Sequence, residues 1–189
     1  MSKLLWQPSD VRIRSSNMYR FMKRINETYG TSVDNYDGLY QWSVANIPEF
    51  WREMWAFAEI KASSPYTSVV DDLARMPGAR WFEGARLNFA ENLLRYRDDR
   101  TALVFRGEDR VRRTLTYAQL YDEVARVAQA LKSVGVKAGD RVAGFVPNLP
   151  ESVIAMLAAP SLGTAWTSCS PDFGIKGVLD RFGQVQPKV

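Results

Sequence analysis

The chain has 189 residues, 46% of them hydrophobic and 24% charged, with a net charge of +4. This is globular composition, and no apolar run is long enough to cross a membrane. There is no histidine and a single cysteine, Cys169, which excludes an internal disulfide, Ser-His or Cys-His catalysis and His-ligated metals within these residues.

The positive charge is spread and interleaved with acids. Its densest cluster, Arg12, Arg14, Arg20, Lys23 and Arg24, comes with no nucleic-acid reading motif, so a solvated face is expected and no nucleic-acid partner. No secretory signal opens the chain, and one cysteine suits a reducing cytoplasm.

In chain order, "SSNMYRFMKRINETYG" spaces Met18, Phe21, Met22, Ile25 and Tyr29 as one helical face. Ser15 or Ser16 is the expected N-cap and Gly30 the stop. Asp37-Gly38 reads as a turn before Leu39, Tyr40 and Trp42. Asn46 reads as the cap of a second helix, with Pro48 in its first turn and Phe50, Trp51, Met54, Trp55 and Phe57 behind it. From Lys61 to Leu94, Pro65, Pro77, Gly78 and Gly84 interrupt the pattern, so this stretch is expected to wrap over a body without forming a layer.

The texture changes near residue 100. "TALVFR", "GEDR" and "VRRTLT" predict a hairpin. Thr116 and Gln119 predict a capping box. The helix behind them carries Leu120, Val124, Val127, Ala128, Leu131 and Val134, with Gly135 as its stop. Arg141 to Val146 reads as a buried strand. Asn148 and Glu151 can cap the next helix, Gly163 ends it, and "TAWTS" is the following strand. Strand, helix and strand with short links make a βαβ unit and a parallel pair. Asp172 is the expected cap of one more helix through Val178, Leu179 and Phe182. Pro187 ends that helix, and "KV" reads as the start of another strand.

The expected fold class is therefore α/β: an aromatic-rich, mainly helical extension over 1–98, then the first strands and helices of a larger sheet domain over 99–189. A parallel sheet needs both faces covered, so the fold is expected to be incomplete, the front of a larger protein, and its bare sheet to self-associate.

The chemistry-bearing motifs are few. Neither GxxxxGK[ST] nor GxGxxG occurs. Asp71-Asp72 and Asp98-Asp99 are adjacent pairs whose side chains point apart, as surface charge does. No metal site is expected. Cys169 lacks a base to activate it. What remains is "SCSPDFG", residues 168 to 174, directly after a parallel strand. Ligands bind at that end of open α/β sheets, and helix-start N–H groups there can meet anionic oxygens. An ordinary βα connection is the other reading.

"LTYAQLYDEVARVAQALKSVGVKAGDRVAGFVPNLPESVIAMLAAPSLGTAW" resembles the start of the adenylate-forming acyl-CoA synthetases: T-Y-x-(E/Q)-L, G-V-x-x-G-D-R-V, then P-N-x-x-E. "YQWSVANIPEFWREMW" and "WFEGARLNFAENLL" resemble the N-terminal extension of the acetyl-CoA synthetase-like branch. "LLWQPS", "WTSCSPDFG" and "DRFGQVQPKV" resemble the acetoacetyl-CoA synthetases within that branch, where acetyl-CoA synthetases carry an FGG turn.

The resemblance implies a ligase acting on small molecules: acetoacetate and ATP give acetoacetyl-AMP with Mg²⁺ assisting, and CoA then displaces AMP. It implies that the phosphate loop, nucleotide residues and catalytic lysine come later, so this segment holds no catalytic residue, is inactive alone and binds none of these ligands tightly. It matches Phe173-Gly174 to a pair beside the pantetheine tunnel, which makes Ser168, Cys169, Ser170, Asp172, Phe173 and Gly174 the candidate tunnel residues. Two alternatives stay open: another short-chain acyl-CoA synthetase, of the acetate or propionate class, or a non-catalytic binding or assembly module.

Overall fold

The structure is a computed structural model that describes residues 5–108 and 110–189. Contacts divide the chain into two units. One runs to Ile60 and includes Ser64–Ala85; the other comprises Lys61–Ser63 and Arg86–Val189.

The first unit holds helices α1 (Asp10–Ser15), α2 (Asn17–Tyr29), α3 (Tyr36–Ala45) and α4 (Ile47–Phe57), then strands β1 (Ser68–Val70) and β2 (Trp81–Glu83). Ser16 caps α2 by accepting from the Tyr19 N–H, and Gly30 ends it at φ 66°, a left-handed turn that costs glycine little. Asp37-Gly38 is not a turn. It lies in the first turn of α3, because Asn35 Oδ1 accepts from the Gly38 N–H at 2.8 Å and starts the helix earlier. Asn46 stands at the start of α4, yet its amide donates back to the Trp42 carbonyl at 3.0 Å, closing α3 instead of capping α4.

Phe21, Met22, Ile25 and Leu39 form the core of this unit, with Phe50, Met54 and Phe57 packed on it. The Phe21 ring meets Phe50 and Phe57 edge-on at 5.8 and 5.1 Å, the arrangement aromatic quadrupoles favour. Glu53 is buried, but Arg24 Nε donates to it at 2.6 Å and the Tyr29 hydroxyl at 3.3 Å, so its charge is not left bare. The stretch expected to wrap without layering forms a short antiparallel ladder here, β1 on β2, with Ser68 opposite Glu83 and Val70 opposite Trp81.

The second unit contains α5 (Phe89–Leu93), β3 (Thr101–Gly107), β4 (Val111–Thr116), α6 (Tyr117–Ser133), β5 (Arg141–Phe145), α7 (Pro150–Ser161), β6 (Ala165–Cys169), a 3-10 turn (Pro171–Phe173) and α8 (Gly174–Val185). β3 and β4 form the expected hairpin; Asp109 of its turn lies outside the described residues. The Thr116–Gln119 capping box is present in both directions. The second expected cap is not: α7 starts on Pro150 without a side-chain cap, and Glu151 pairs with Arg113 of β4.

β5 and β6 are parallel, Arg141 opposite Ala165 through Phe145 opposite Cys169, with α7 connecting them. Among the described residues the hairpin is a separate two-stranded sheet. Leu120, Val124, Leu131, Val142, Ile154 and Leu157 form the core between α6, α7 and this pair. Beyond α8, the Lys188 N–H donates to the Arg141 carbonyl and the Ala143 N–H to the Val189 carbonyl, both at 2.8 Å. Residues 188–189 thus add to the edge of β5 away from β6, where "KV" is expected to begin a strand. The chain goes from β5 out to β6 and returns past β5. Right-handed connections place α7 and α8 on opposite faces.

Candidate functional site

The carboxyl ends of β5 and β6 are where these two connections diverge. The loop after β5 leads to α7 on one face, and the turn after β6 leads to α8 on the other. In open α/β sheets ligands bind at such divergences. The Val146 N–H donates to the Cys169 carbonyl at 3.2 Å, which keeps the parallel pair together up to its rim.

Residues 168 to 174 line that rim unevenly. Ser168 is exposed, opposite Gly144 in the ladder, and shares a face with Trp166. Cys169 points to the other face and is buried, with 4% of its surface accessible. Its sulfur therefore packs, and only its carbonyl reaches the rim. Ser170 caps the 3-10 turn and donates its hydroxyl proton to Asp172 Oδ2 at 2.8 Å. Asp172 does not cap α8 as expected, because it lies within the 3-10 turn and α8 begins at Gly174 with Phe173 at the cap position. The first-turn N–H groups of α8 have no side-chain cap and face the strand ends with the helix's positive dipole.

Phe173 is 47% exposed, and the Arg181 guanidinium stacks on its ring 3.8 Å from the centroid. Gly174 has φ 62° and ψ 172°, a region essentially reserved for glycine. A Cβ there would meet nothing within 4 Å. The turn thus places an aromatic ring, a bare backbone and a small polar cluster at the end of the sheet.

Sequence reasoning reads Asn148 only as a cap for α7, and that cap is not made. Asn148, in the loop after β5, is exposed, and its amide makes no hydrogen bond to any described residue. Its place directly after a parallel strand was the available signal. Arg113 lies behind this loop, and its hydrogen bond holds the Glu151 carboxyl below the usual carboxylate range. Among the described residues no group of three or more His, Cys, Asp or Glu side chains could hold a metal ion.

The profile of the AMP-binding enzyme family matches residues 89–189, more than half of the chain. The chain belongs to the AMP-binding enzyme family. A second profile, the acetyl-coenzyme A synthetase N-terminus, matches residues 36–93. Within this family of AMP-binding enzymes, the chain is 46% identical to an acetoacetyl-coenzyme A synthetase of Rhizobium meliloti (strain 1021), over 98% of this chain and 28% of that one. It is 44% identical to an acetoacetyl-CoA synthetase of Danio rerio, over 100% and 28%. The solved acetoacetyl-CoA synthetase from Streptomyces lividans superposes with a TM-score of 0.89 at 42% identity, covering 98% of this chain and 29% of that one. The chain spans about 28% of the length of the curated relatives it matches, and it corresponds to their N-terminal part.

Proposed function

We propose that this chain is the N-terminal portion of an acetoacetate–CoA ligase. The observation that carries the reading is similarity along nearly the whole chain, at 42–46% identity, to acetoacetyl-CoA synthetases. In the reaction a carboxylate oxygen of acetoacetate attacks the α-phosphorus of ATP and pyrophosphate leaves. The CoA sulfur then attacks the acyl carbon of acetoacetyl-AMP and AMP leaves. Residues 1–98 are the extension and 99–189 the beginning of the AMP-binding domain.

The part given to this segment is to wall the passage for CoA. Phe173 supplies an apolar side, Gly174 lets a thin chain pass its backbone, and Ser168, Ser170 and Asp172 form the polar rim. Cys169 contributes packing beneath. No phosphate loop occurs in this sequence to hold ATP and its Mg²⁺. Adenylation is therefore assigned to residues that other parts of such a ligase supply. A reducing cytoplasm is the proposed location, in keeping with one buried cysteine.

Two measurements test this. Cells with the encoding gene disrupted are expected to lose growth on acetoacetate and keep growth on acetate and propionate. Loss on acetate instead moves the enzyme to another acyl substrate. The purified 189-residue chain is expected to show no acetoacetate-dependent exchange of pyrophosphate into ATP; exchange above background overturns its assignment as inactive alone.

A further inference from the structure

Phe173, Gly177 and Arg181 recur every fourth residue, so they follow one face of α8 from its cap position onward. Arg181 stands about 12 Å along the helix axis from Phe173 at ~1.5 Å per residue. Its guanidinium nevertheless lies 3.8 Å from the centroid of the Phe173 ring. Long helical side chains lean back toward the N-terminus, and this one passes over Gly177, whose carbonyl accepts from Arg181 Nη1 at 3.3 Å. A Cβ at Gly177 would stand 3.3 Å from that nitrogen and 3.4 Å from Phe173 Cβ. Glycine inside a helix is unfavourable against alanine; here its bare backbone leaves open the path by which the guanidinium reaches the ring. Phe173 keeps 47% of its surface exposed, so the arginine covers one part of the ring and leaves an apolar part free. A surface ring held in place before a ligand arrives lowers the ordering cost of binding.

We propose that Arg181 is a positioning residue for CoA: seated over Gly177, it holds the Phe173 ring as the apolar wall along which the thin arm of CoA passes. The proposal rests on the ligase reading and adds to it the two residues that fix the wall. Arg181 acts through the ring and makes no bond to CoA itself.

The test uses the complete ligase expressed from the encoding gene, with CoA varied at saturating acetoacetate and ATP. Arg181→Met keeps a long apolar stem and loses the planar cation. It is expected to raise KM for CoA about threefold, the size of an exposed cation–π contact, with the effect in KM and not in kcat. In a Phe173→Ala background the same substitution is expected to add nothing. Gly177→Ala blocks the path of the guanidinium and is expected to raise KM for CoA as well. It is expected to unfold at no lower temperature than the parent, because alanine favours the helix; a merely structural role gives no such split. If Arg181→Met does not fold, Gly177→Ala decides alone. A parent enzyme without acetoacetate-dependent exchange of pyrophosphate into ATP overturns the ligase reading and the proposal with it. With exchange present, the proposal alone is overturned by an unchanged KM for CoA in every folded variant of Arg181 and Gly177. An Arg181→Met effect as large without the Phe173 ring as with it overturns it too.

Discussion

The indole of Trp166 lies over the α-carbon of Gly144 in the neighbouring parallel strand: a Cβ at Gly144 would stand 2.8 Å from Cζ2 of that ring. No real Cβ tolerates this, and the ring is held by the core beneath it. Gly144→Ala is therefore expected to destabilise the protein by about 1–3 kcal/mol, as overpacking does. Adding Trp166→Leu is expected to recover part of that loss, because the two positions share one volume. Denaturant midpoints of the two single variants and the double variant check this; strict additivity would sink it.

Gly174 is fixed by a different cause. Nothing crowds its α-carbon, but its φ of 62° and ψ of 172° suit only glycine. Gly174→Ala is expected to cost ~1–3 kcal/mol through backbone strain alone. Truncating Phe173, the ring nearest it, is expected to recover none of that loss. A Phe173→Ala background that restores stability would show that crowding, not the backbone, is responsible.

Asn88 joins two segments far apart in the chain. Its Oδ1 accepts from the Glu91 N–H at 3.1 Å, capping α5, and its Nδ2 donates to the Pro160 carbonyl at 2.8 Å, near the end of α7. Asn88→Ala loses both, and about 1–2 kcal/mol is expected from a lost cap and one further bond. Asn88→Asp keeps the cap but turns a donor toward the carbonyl into an acceptor. It is therefore expected to be no better than alanine in thermal unfolding; full stability of Asn88→Asp would discount the Pro160 bond.

The local rules that the sequence displays most openly are the ones the structure follows. Ser16 and Gly30 bound α2, Thr116 and Gln119 start α6, and the periodicity of Leu120, Val124 and Leu131 matches the buried face. The parallel pair follows from short links around one apolar helix. What was not legible depended on which of several competent partners a polar side chain takes. Asn35 lies two residues before Asp37-Gly38 and turns an apparent turn into helix. Asp172 falls inside a 3-10 turn, one residue before the α8 cap position, and bonds the Ser170 hydroxyl. Glu151 takes Arg113, distant in sequence, over a local cap. At the candidate site the same limit holds: "SCSPDFG" marks the turn, but only the fold shows Cys169 facing inward.

Acid should reach the first unit through Asp71. Backbone N–H groups of Arg80 and Asp72 donate to its Oδ1 at 2.8 and 2.7 Å, and the Arg80 and Arg75 guanidiniums donate to Oδ2. The Arg80 backbone bond, foremost among these, holds the carboxyl down at about 2, against an ordinary 3.8. A depressed folded-state pKa stabilises the fold fully above the unfolded value and loses that contribution as pH falls through the folded one. The expected window is therefore pH 3.8 down to about 2, where protonation releases the connection between β1 and β2. Asp71→Asn removes the ionisation. Its denaturant midpoint is expected to lie below the parent's at pH 5 and to converge with it as pH falls through this window. Curves that stay parallel from pH 5 to pH 2.5 would assign the acid sensitivity to other carboxylates.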